Sequence, residues 1–410
     1  MPLTLIQLIS EQTMQNLLPV LRLKPARLVH LVTAKTAARS AFIVEAARQA
    51  GLQPAVELVT LSAMPAMPET FNIIKSAILE ARSKTETPLV NFTGGTKLMS
   101  IGAFSAALNQ KALSLYVDTE GALFVDGRTA EGLAALLEDD FTFTPLRTAL
   151  TVNTLAVAHG RQRVTGGRDW RPFLPLAEHL VANPDEEQAT HAAITKDLLA
   201  GKPEPRKPAD WLPILAKPVG LPAEVAGLAI GAGLLQNDSS GQVTLPRATE
   251  AELQRLANNY VPDFNAAYFR AVSPLQQALG FLTGGWWEVV VAAAAERSGM
   301  FRDIRWSAQV GSRAGADLEE DVLALDGVQI VSICCKRGGA KARLLPLLEE
   351  MNARARSMGG NFTRRFLAIY LPLSGAVARN LERRANELGV VLLNSQNLEH
   401  SEVFSQFRRA

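Results

Sequence analysis

The sequence predicts a two-part α/β protein: a doubly wound parallel sheet at the N-terminus and a second, different α/β unit at the C-terminus. Two observations predict it. Short β-rich runs alternate with longer amphipathic runs through the first 130 residues. From about Pro274 the order changes to a helix, a hairpin, and then strands separated by helices. Strict β–α alternation feeds a parallel sheet covered by helices on both faces, and a hairpin followed by crossovers gives a mixed one.

In chain order the N-terminal runs are Thr4–Ile9, Gln15–Leu23, Arg27–Thr33, Thr36–Ala50, Ala55–Leu61, Glu69–Ser83, Pro88–Thr93, Lys97–Gln110 and Leu113–Val117, the last opening a hairpin-like stretch to Asp126. Residues 1–145 are read as this domain and 146–270 as a connector with a small helical module. The connector holds a basic, Gly-rich loop at Arg161–Arg171 and a Pro-rich run at Lys202–Pro218. Within it Ala223–Leu234, then Leu235–Leu245 with Asn237–Gly241 as turn, resembles a helix with a two-stranded wing, a pattern that inert packing units share. Residues 271–410 form the last domain: a helix through Gly284–Glu296, strands near Ile304–Gln309, Glu319–Leu325 and Val328–Cys335, a helix at Lys341–Met358, a strand at Arg365–Leu371, a helix at Gly375–Leu388 and a strand at Val390–Leu393.

The composition is that of an ordinary globular protein, 48% hydrophobic and 20% charged over 410 residues. The net charge of +2 excludes a uniformly basic nucleic-acid coat, but from Lys336 onward 13 Lys/Arg stand against six Glu and no Asp. That local excess suits a polyanion, or equally a solvated helical face. The two cysteines, Cys334 and Cys335, are adjacent, which excludes a disulfide framework and fits a reducing cytoplasm. The N-terminus has no signal-peptide pattern, and no apolar run approaches the roughly 18 to 20 residues that span a bilayer.

In the segment Val90–Met99 a strand enters a glycine turn and then a helix capped by Thr96. Gly94 and Gly95 let the backbone approach a ligand, helix N–H groups favour phosphate, and Lys97 adds a full charge. The spacing is neither a Walker A loop nor a dinucleotide fingerprint. A glycine turn that only packs strand on helix would look the same by itself. The first strand, however, ends in Ser10-Glu11-Gln12-Thr13 with Asn16 following, and the second ends at Thr33. These ends share one edge of the sheet, where ligands of such folds bind. Hydroxyls and amides of Ser10, Gln12, Thr13, Asn16 and Thr33 are placed to read sugars or bases while residues 94–97 hold phosphate.

The runs Leu8-Ile9-Ser10-x-Gln12-Thr13-x-x-Asn16 and Asn91-Phe92-Thr93-Gly94-Gly95-Thr96-Lys97-x-Met99 resemble the CRISPR-associated Rossmann fold, or CARF, sensor domain. The resemblance implies a homodimer binding cyclic oligoadenylate, with four adenylates the first expectation, across its two-fold axis. It also implies that Ser10, Gln12, Thr13, Thr33, Thr93, Gly94, Gly95, Thr96, Lys97 and Met99 line that pocket.

Near the C-terminus Glu288 on a helix, Glu319 and Asp321 on a strand, and Lys336 at the end of the next strand are ionisable groups on otherwise apolar elements. Converging carboxylates would bind Mg²⁺ or Mn²⁺, and a lysine beside them would orient or activate water and offset phosphate charge. Period two puts Glu319 and Asp321 on one face and Glu320 on the other, so Glu319 is the better second carboxylate. This order of helix Glu, strand Asp, hairpin and terminal Lys resembles the PD-(D/E)xK, restriction-endonuclease-like superfamily. More narrowly, Gly284-Gly285-Trp286-Trp287-Glu288, Glu319-x-Asp321-Val322 and Cys335-Lys336 look like the nuclease domain of CARF-fused proteins of the DUF1887 group. The sequence departs from the superfamily at Cys334, which stands where its second acidic ligand falls, and a thiol is a poor partner for Mg²⁺. Trp286 and Trp287 read as core before base-stacking groups. Downstream Lys341, Arg343, Arg354, Arg356, Arg364 and Arg365 are candidates for sequence-blind phosphate contacts.

The expectation is a cytoplasmic, metal-dependent endonuclease of type III CRISPR defence, switched on by cyclic oligoadenylate. It would cut single-stranded RNA or DNA, or nick duplex DNA, with little sequence specificity. Two alternatives stand beside it: a non-catalytic sensor or transcription regulator using the wing on duplex DNA, and a ring nuclease in which Thr96 or Lys97 assists a ribose 2′-hydroxyl to cleave the activator.

Overall fold

The computed structural model describes residues 1–117, 123–126, 150–258, 263–313, 317–338, 341–360, 363–371 and 373–398. The boundary expected at residue 145 lies outside them. The N-terminal domain is the predicted alternation: β1 (Leu3–Leu8), α1 (Met14–Leu23), β2 (Arg27–Val32), α2 (Ala37–Gln49), β3 (Ala55–Thr60), α3 (Met67–Ser83), β4 (Thr87–Asn91), α4 (Lys97–Asn109), β5 (Leu113–Val117) and β6 (Leu123–Asp126). The sheet order is β3-β2-β1-β4-β5-β6, parallel except for the β5–β6 pair. Strands β1 and β2 are buried along their whole length, as central strands covered on both faces are, whereas β3 is a half-exposed edge.

The connector is less of a linker than its composition suggests. Helix α5 (Val152–Ala158) packs on α2 inside the N-terminal core. The Gly-rich stretch read as a loop is in part a strand, β7 (Val164–Arg168), pairing antiparallel with the C-terminal sheet. Its glycines hid it: Gly166 and Gly167 adopt φ of +78° and +88°, which side-chain propensity does not register. A helical module follows, α6 (Leu174–Ala182), α7 (Pro184–Ala192), α8 (Pro208–Leu215), α9 (Ala223–Gly231) and α10 (Glu250–Asn258), with the hairpin β8 (Gln236–Asn237) and β9 (Val243–Thr244) after α9.

Helix α11 (Phe264–Gly280) runs through a π turn into α12 (Trp286–Arg297). This run, Phe264–Arg297, is apolar and long enough to cross a bilayer, contrary to the sequence reading, but 72% of its most apolar window is buried inside the protein. It is the core helix of the module. Strands β10 (Arg302–Val310), β11 (Leu318–Asp326), β12 (Gln329–Lys336), β13 (Thr363–Ile369) and β14 (Val390–Asn394), with helices α13 (Lys341–Met358) and α14 (Gly375–Leu388), complete a second sheet of order β14-β13-β12-β11-β10-β7. Its β12-β13-β14 half is parallel and the rest antiparallel.

Two cores meet at this sheet. Val322, Ala324, Val331 and Ile333 pack with Trp286 and Trp287, both fully buried. Leu323, Leu325 and Ile330 instead join a cluster with Leu17, Leu18 and Val20 of α1 and Leu155 and Ala156 of α5. The C-terminal sheet thus lies directly on helices of the N-terminal domain.

Candidate functional sites

At the carboxyl edge of the first sheet, the chain makes its closest approach at Gly94. A Cβ there would stand 2.1 Å from the carbonyl oxygen of Leu8, so only glycine lets the β4–α4 turn rest against the end of β1. Gly95 follows at φ +82°, and Thr96 then caps α4, its Oγ1 accepting from Met99 N at 3.3 Å. Gly95, Thr96 and Lys97 are left exposed at that helix end. Ser10, Gln12 and Thr33 are partly exposed beside them, and Ser10 Oγ donates to Gln12 O at 3.2 Å.

The other predicted pocket residues hold this edge from below. Asn16 is fully buried, donates to Leu8 O at 2.9 Å and accepts from Ser10 N at 3.3 Å. Thr13 is fully buried against the ring of His159, Met99 packs in the core, and Thr93 Oγ1 bridges Asn91 Oδ1 and Val117 N at 2.7 and 2.8 Å. Beneath them runs a polar chain that the sequence reading missed. Gln7 stands in register opposite both His30 and Asn91. Its Nε2 lies 2.9 Å from His30 Nε2, its Oε1 accepts from Asn91 and Asn16, and His30 Nδ1 lies 2.7 Å from Ser40 Oγ. Burial lowers the His30 pKa to about 4, so the ring is neutral and the network carries no charge. A polar residue near the carboxyl end of each of three largely apolar central strands was the available signal.

In the second domain the structure brings together Glu288 of α12, Asp321 of β11 and Lys336 of β12. Asp321 Oδ2 accepts from Cys335 N at 2.6 Å and from Lys336 Nζ at 3.2 Å, and the ammonium also donates to Cys335 O at 2.9 Å. Burial opposes the charge on Lys336, but Asp321 outweighs it and holds the ammonium above its ordinary pKa. Burial, then the charge of Asp321, raises the Glu288 pKa, while a 2.8 Å hydrogen bond from Trp306 Nε1 works against that rise. The Cys334 thiol is close to both Asp321 and Lys336; burial and then the Asp321 charge push it up to about 12, so it is protonated and not a ready metal donor.

Glu319 stands further out, exposed and accepting from Ser307 Oγ at 3.0 Å. Glu320 points away, as period two requires, to a buried bond from Ser332 Oγ at 2.7 Å. Arg337, next to Lys336, forms a forked ion pair with the buried Glu187 of α7 and so fixes the end of β12 to the helical module. Three of the arginines expected to contact phosphate are engaged internally instead: Arg354 with Glu350 and Glu319 O, Arg364 with Asp326, and Arg365 with Asn352. The side chains of Lys341, Arg343 and Arg356 lie outside the described residues.

Among the described residues no three His, Cys, Asp or Glu converge on one point. Glu288 and Asp321, near enough for the charge of one to act on the other, still fit Mg²⁺ or Mn²⁺, because such ions are commonly held by one or two carboxylates, with water and substrate phosphate filling the other positions. A divalent cation would offset both the burial of Glu288 and the neighbouring charge of Asp321 that raise its pKa.

Comparison with known proteins bears on the first site directly. Residues 4–128 match the family model of the Card1 CARF domain. The N-terminal domain is a CARF domain. The glycine turn at Gly94–Gly95 and the buried Gln7–His30–Asn91 network therefore belong to the carboxyl edge of a CARF sheet. No curated protein matches the sequence. Among solved structures, the chain is similar to Can2 from Sulfobacillus thermosulfidooxidans in complex with cyclic tetra-adenylate, at TM-score 0.67 and 15% identity over 99% of this chain and 97% of that one. It is similar to protein VC1899 from Vibrio cholerae at TM-score 0.70 and 13% identity, with the same coverage. A type III CRISPR defence DNA nuclease activated by cyclic oligoadenylate gives TM-score 0.52 and 16% identity over 92% of this chain and 47% of that one. These likenesses are of fold, and the first two extend beyond the CARF domain to nearly the whole chain.

Proposed function

We propose that this CARF protein is a cyclic-oligoadenylate-activated, metal-dependent endonuclease of type III CRISPR defence, acting in the cytoplasm on single-stranded RNA or DNA, or nicking duplex DNA, with little sequence specificity. The observation that carries the reading is the Asp321–Lys336 pair at the end of β12, with Glu288 buried beside it. The similarity in fold to a protein solved with cyclic tetra-adenylate and to a nuclease activated by cyclic oligoadenylate supports it.

In this reading Gly95, Thr96 and Lys97 hold phosphate of the activator, Ser10, Gln12 and Thr33 face its sugars and bases, and Thr13, Asn16, Thr93, Gly94 and Met99 hold those groups in place. A homodimer completes the pocket. Its contact would include the stripe Leu98, Ile101 and Leu108 on α4, each about half exposed, which starts beside Lys97 and spaces as one helical face. At the second site Glu288 and Asp321 would hold the metal ion, with Glu319 able to reach in from the strand edge. The bound ion would supply a nucleophile from water and neutralise phosphate charge. Lys336, kept charged by Asp321, is placed to bind the scissile phosphate and orient water.

A cleavage assay tests the proposal: single-stranded RNA, single-stranded DNA and supercoiled duplex, with Mg²⁺ or Mn²⁺, across cyclic oligoadenylates of three to six units. Cutting that requires both metal and one ring size supports it; absence of cutting under all conditions refutes it. Cys334 in the metal-side cluster favours one other reading, a CARF sensor without cleavage. The regulator form of that reading has little to grip DNA with, because α9 before the β8–β9 wing carries Glu224 and no Lys or Arg. Self-degradation of the activator at Thr96 or Lys97 is compatible with the main reading, and labelled activator in the same assay would reveal it.

A further inference from the structure

The loop after β1 touches more than the activator edge. Thr13, which ends that loop and begins α1, is fully buried, and its Oγ1 lies 3.2 and 3.3 Å from the two ring nitrogens of His159. His159 caps α5, is itself buried, and its carbonyl accepts from Arg39 at 3.2 Å. Immediately after it, Gly160 turns at φ +86°, where a Cβ would stand 2.5 Å from the ring of Phe42. The chain is therefore gripped on both sides at this point. It leaves as Gln162 and Arg163, bonded to Gly311, and then as β7. In β7 Arg168 pairs with Trp306 of β10, the residue whose indole donates to Glu288.

Gln12 makes a second crossing. A Cβ on Gly360, at φ +58°, would come within 2.6 Å of Gln12 Oε1, so this side chain lies against the turn that ends α13. The Ser10–Thr13 loop thus bears on the end of α5, just before the chain enters β7, and on the end of α13.

We propose that His159 is a positioning residue that couples the Ser10–Thr13 loop to the Glu288 site through β7 and β10, an inference that rests on the ligand-gated reading above. A ligand that draws Ser10 and Gln12 toward it moves the base of the loop at Thr13. His159 passes that movement to β7, since the Gly160 turn over Phe42 leaves no slack between them. Strand β7 forms the outer edge of the sheet, so it shifts β10, and with it Trp306, without disturbing β12 and Lys336. The coupling is carried by contiguous hydrogen bonds and one strand pair, and it is demonstrated only by a measured dependence of one end on the other.

Hydrogen exchange on the full-length chain provides that measurement in two arms. Without any ligand, Thr13→Val is expected to speed exchange at residues 164–168 and 302–310 while leaving β3 unchanged; unaltered exchange in β7 and β10 overturns the proposal whatever the activator proves to be. With cyclic tetra-adenylate as probe, wild type is expected to change exchange in the same two strands. His159→Ala should bind the probe within about threefold of wild type, yet lose ligand-stimulated cleavage by about tenfold, a typical size for coupling between sites. His159→Asn, which keeps a side-chain partner for Thr13, should recover part of that stimulation. Full stimulation in His159→Ala overturns the proposal. Wild type that binds no cyclic oligoadenylate overturns the ligand-gated reading instead, and the ligand-free arm still decides the coupling.

Discussion

Trp306 Nε1 donates to Glu288 Oε2 at 2.8 Å, joining an edge-side strand to the helix that carries the most strongly perturbed carboxyl of the second domain. Trp306 is otherwise a core residue, edge-on to Phe173 and Phe281. Trp306→Phe retains an aromatic ring there and removes an indole donor that, with the charge of Lys336, favours ionised Glu288. A hydrogen bond to a charged group contributes roughly 1.5 to 3 kcal/mol, so Mn²⁺ affinity is expected to fall by about tenfold or more. Calorimetric titration of Mn²⁺ into both proteins checks this, and equal affinities would remove Trp306 from the site.

Asp321 and Lys336 are predicted to act as a unit. Asp321→Ala leaves Cys335 N and the Lys336 ammonium without their shared acceptor, and Lys336→Ala removes the positive charge bonded to Asp321. Either change is expected to abolish cleavage while binding of cyclic oligoadenylate survives, because the CARF edge shares no side chain with this pair. Chelation of the metal should have the same effect on wild type. Metal-dependent cutting that persists in both variants would be incompatible with this site.

Cys334 offers a gain-of-function test. Its protonated thiol stands close to both Asp321 and Lys336, where an oxygen ligand would serve a hard cation. Cys334→Glu is expected to increase cleavage supported by Mg²⁺ more than that supported by Mn²⁺, since Mg²⁺ is the more demanding of oxygen donors. Assays over a metal-concentration series would show it as a lower half-saturating Mg²⁺; no change in either metal would mean that Cys334 does not face the ion.

Both sheets were legible because the N-terminal domain keeps strict β–α alternation and because β12 and β13 are largely apolar in their buried parts, around Ile330–Ile333 and Phe366–Ile369, which marks strands buried on both faces. The Gly-rich β7 was not legible: its pairing with β10 is set by partners far along the chain, Trp306 opposite Arg168 and Val310 opposite Val164, which local propensity cannot see. At the sites, Glu288, Asp321, Lys336 and Thr96 announced themselves as polar groups at element ends. His30, Asn91 and His159 did not, since a buried polar residue reveals its role only when its partner, far along the chain, is known. The membrane-length run at Phe264–Arg297 shows the reverse case, where an apolar pattern is explained by the core around Trp286 and Trp287.

Gly94 is predicted to tolerate no side chain. A Cβ would overlap the Leu8 carbonyl at 2.1 Å, and the obstacle is backbone of a central strand rather than a movable side chain. Gly94→Ala should therefore displace the β4–α4 turn and with it Gly95, Thr96 and Lys97. Affinity for cyclic oligoadenylate is expected to drop by about a hundredfold, equivalent to roughly 2.7 kcal/mol, while metal binding at the second domain is retained. Wild-type affinity in Gly94→Ala would show that the turn does not hold the ligand.

The buried His30 makes stability depend on acid in a defined window. Its ring is neutral in the fold because burial lowers its pKa from 6.5 to about 4. The unfolded chain takes up a proton there as pH falls below about 6.5, and the folded chain resists until about pH 4, so the unfolded state binds more protons in between and stability declines. The stabilisation is fully present above pH 6.5 and is lost as pH falls through 4. At about 1.4 kcal/mol for each pKa unit the loss amounts to about 3 kcal/mol. His30→Gln keeps a neutral side chain between Gln7 and Ser40 but cannot titrate. Urea denaturation at pH 7 and pH 4 is expected to show a smaller difference for His30→Gln than for wild type, by most of that amount; an equal difference would mean that His30 is already charged in the folded protein.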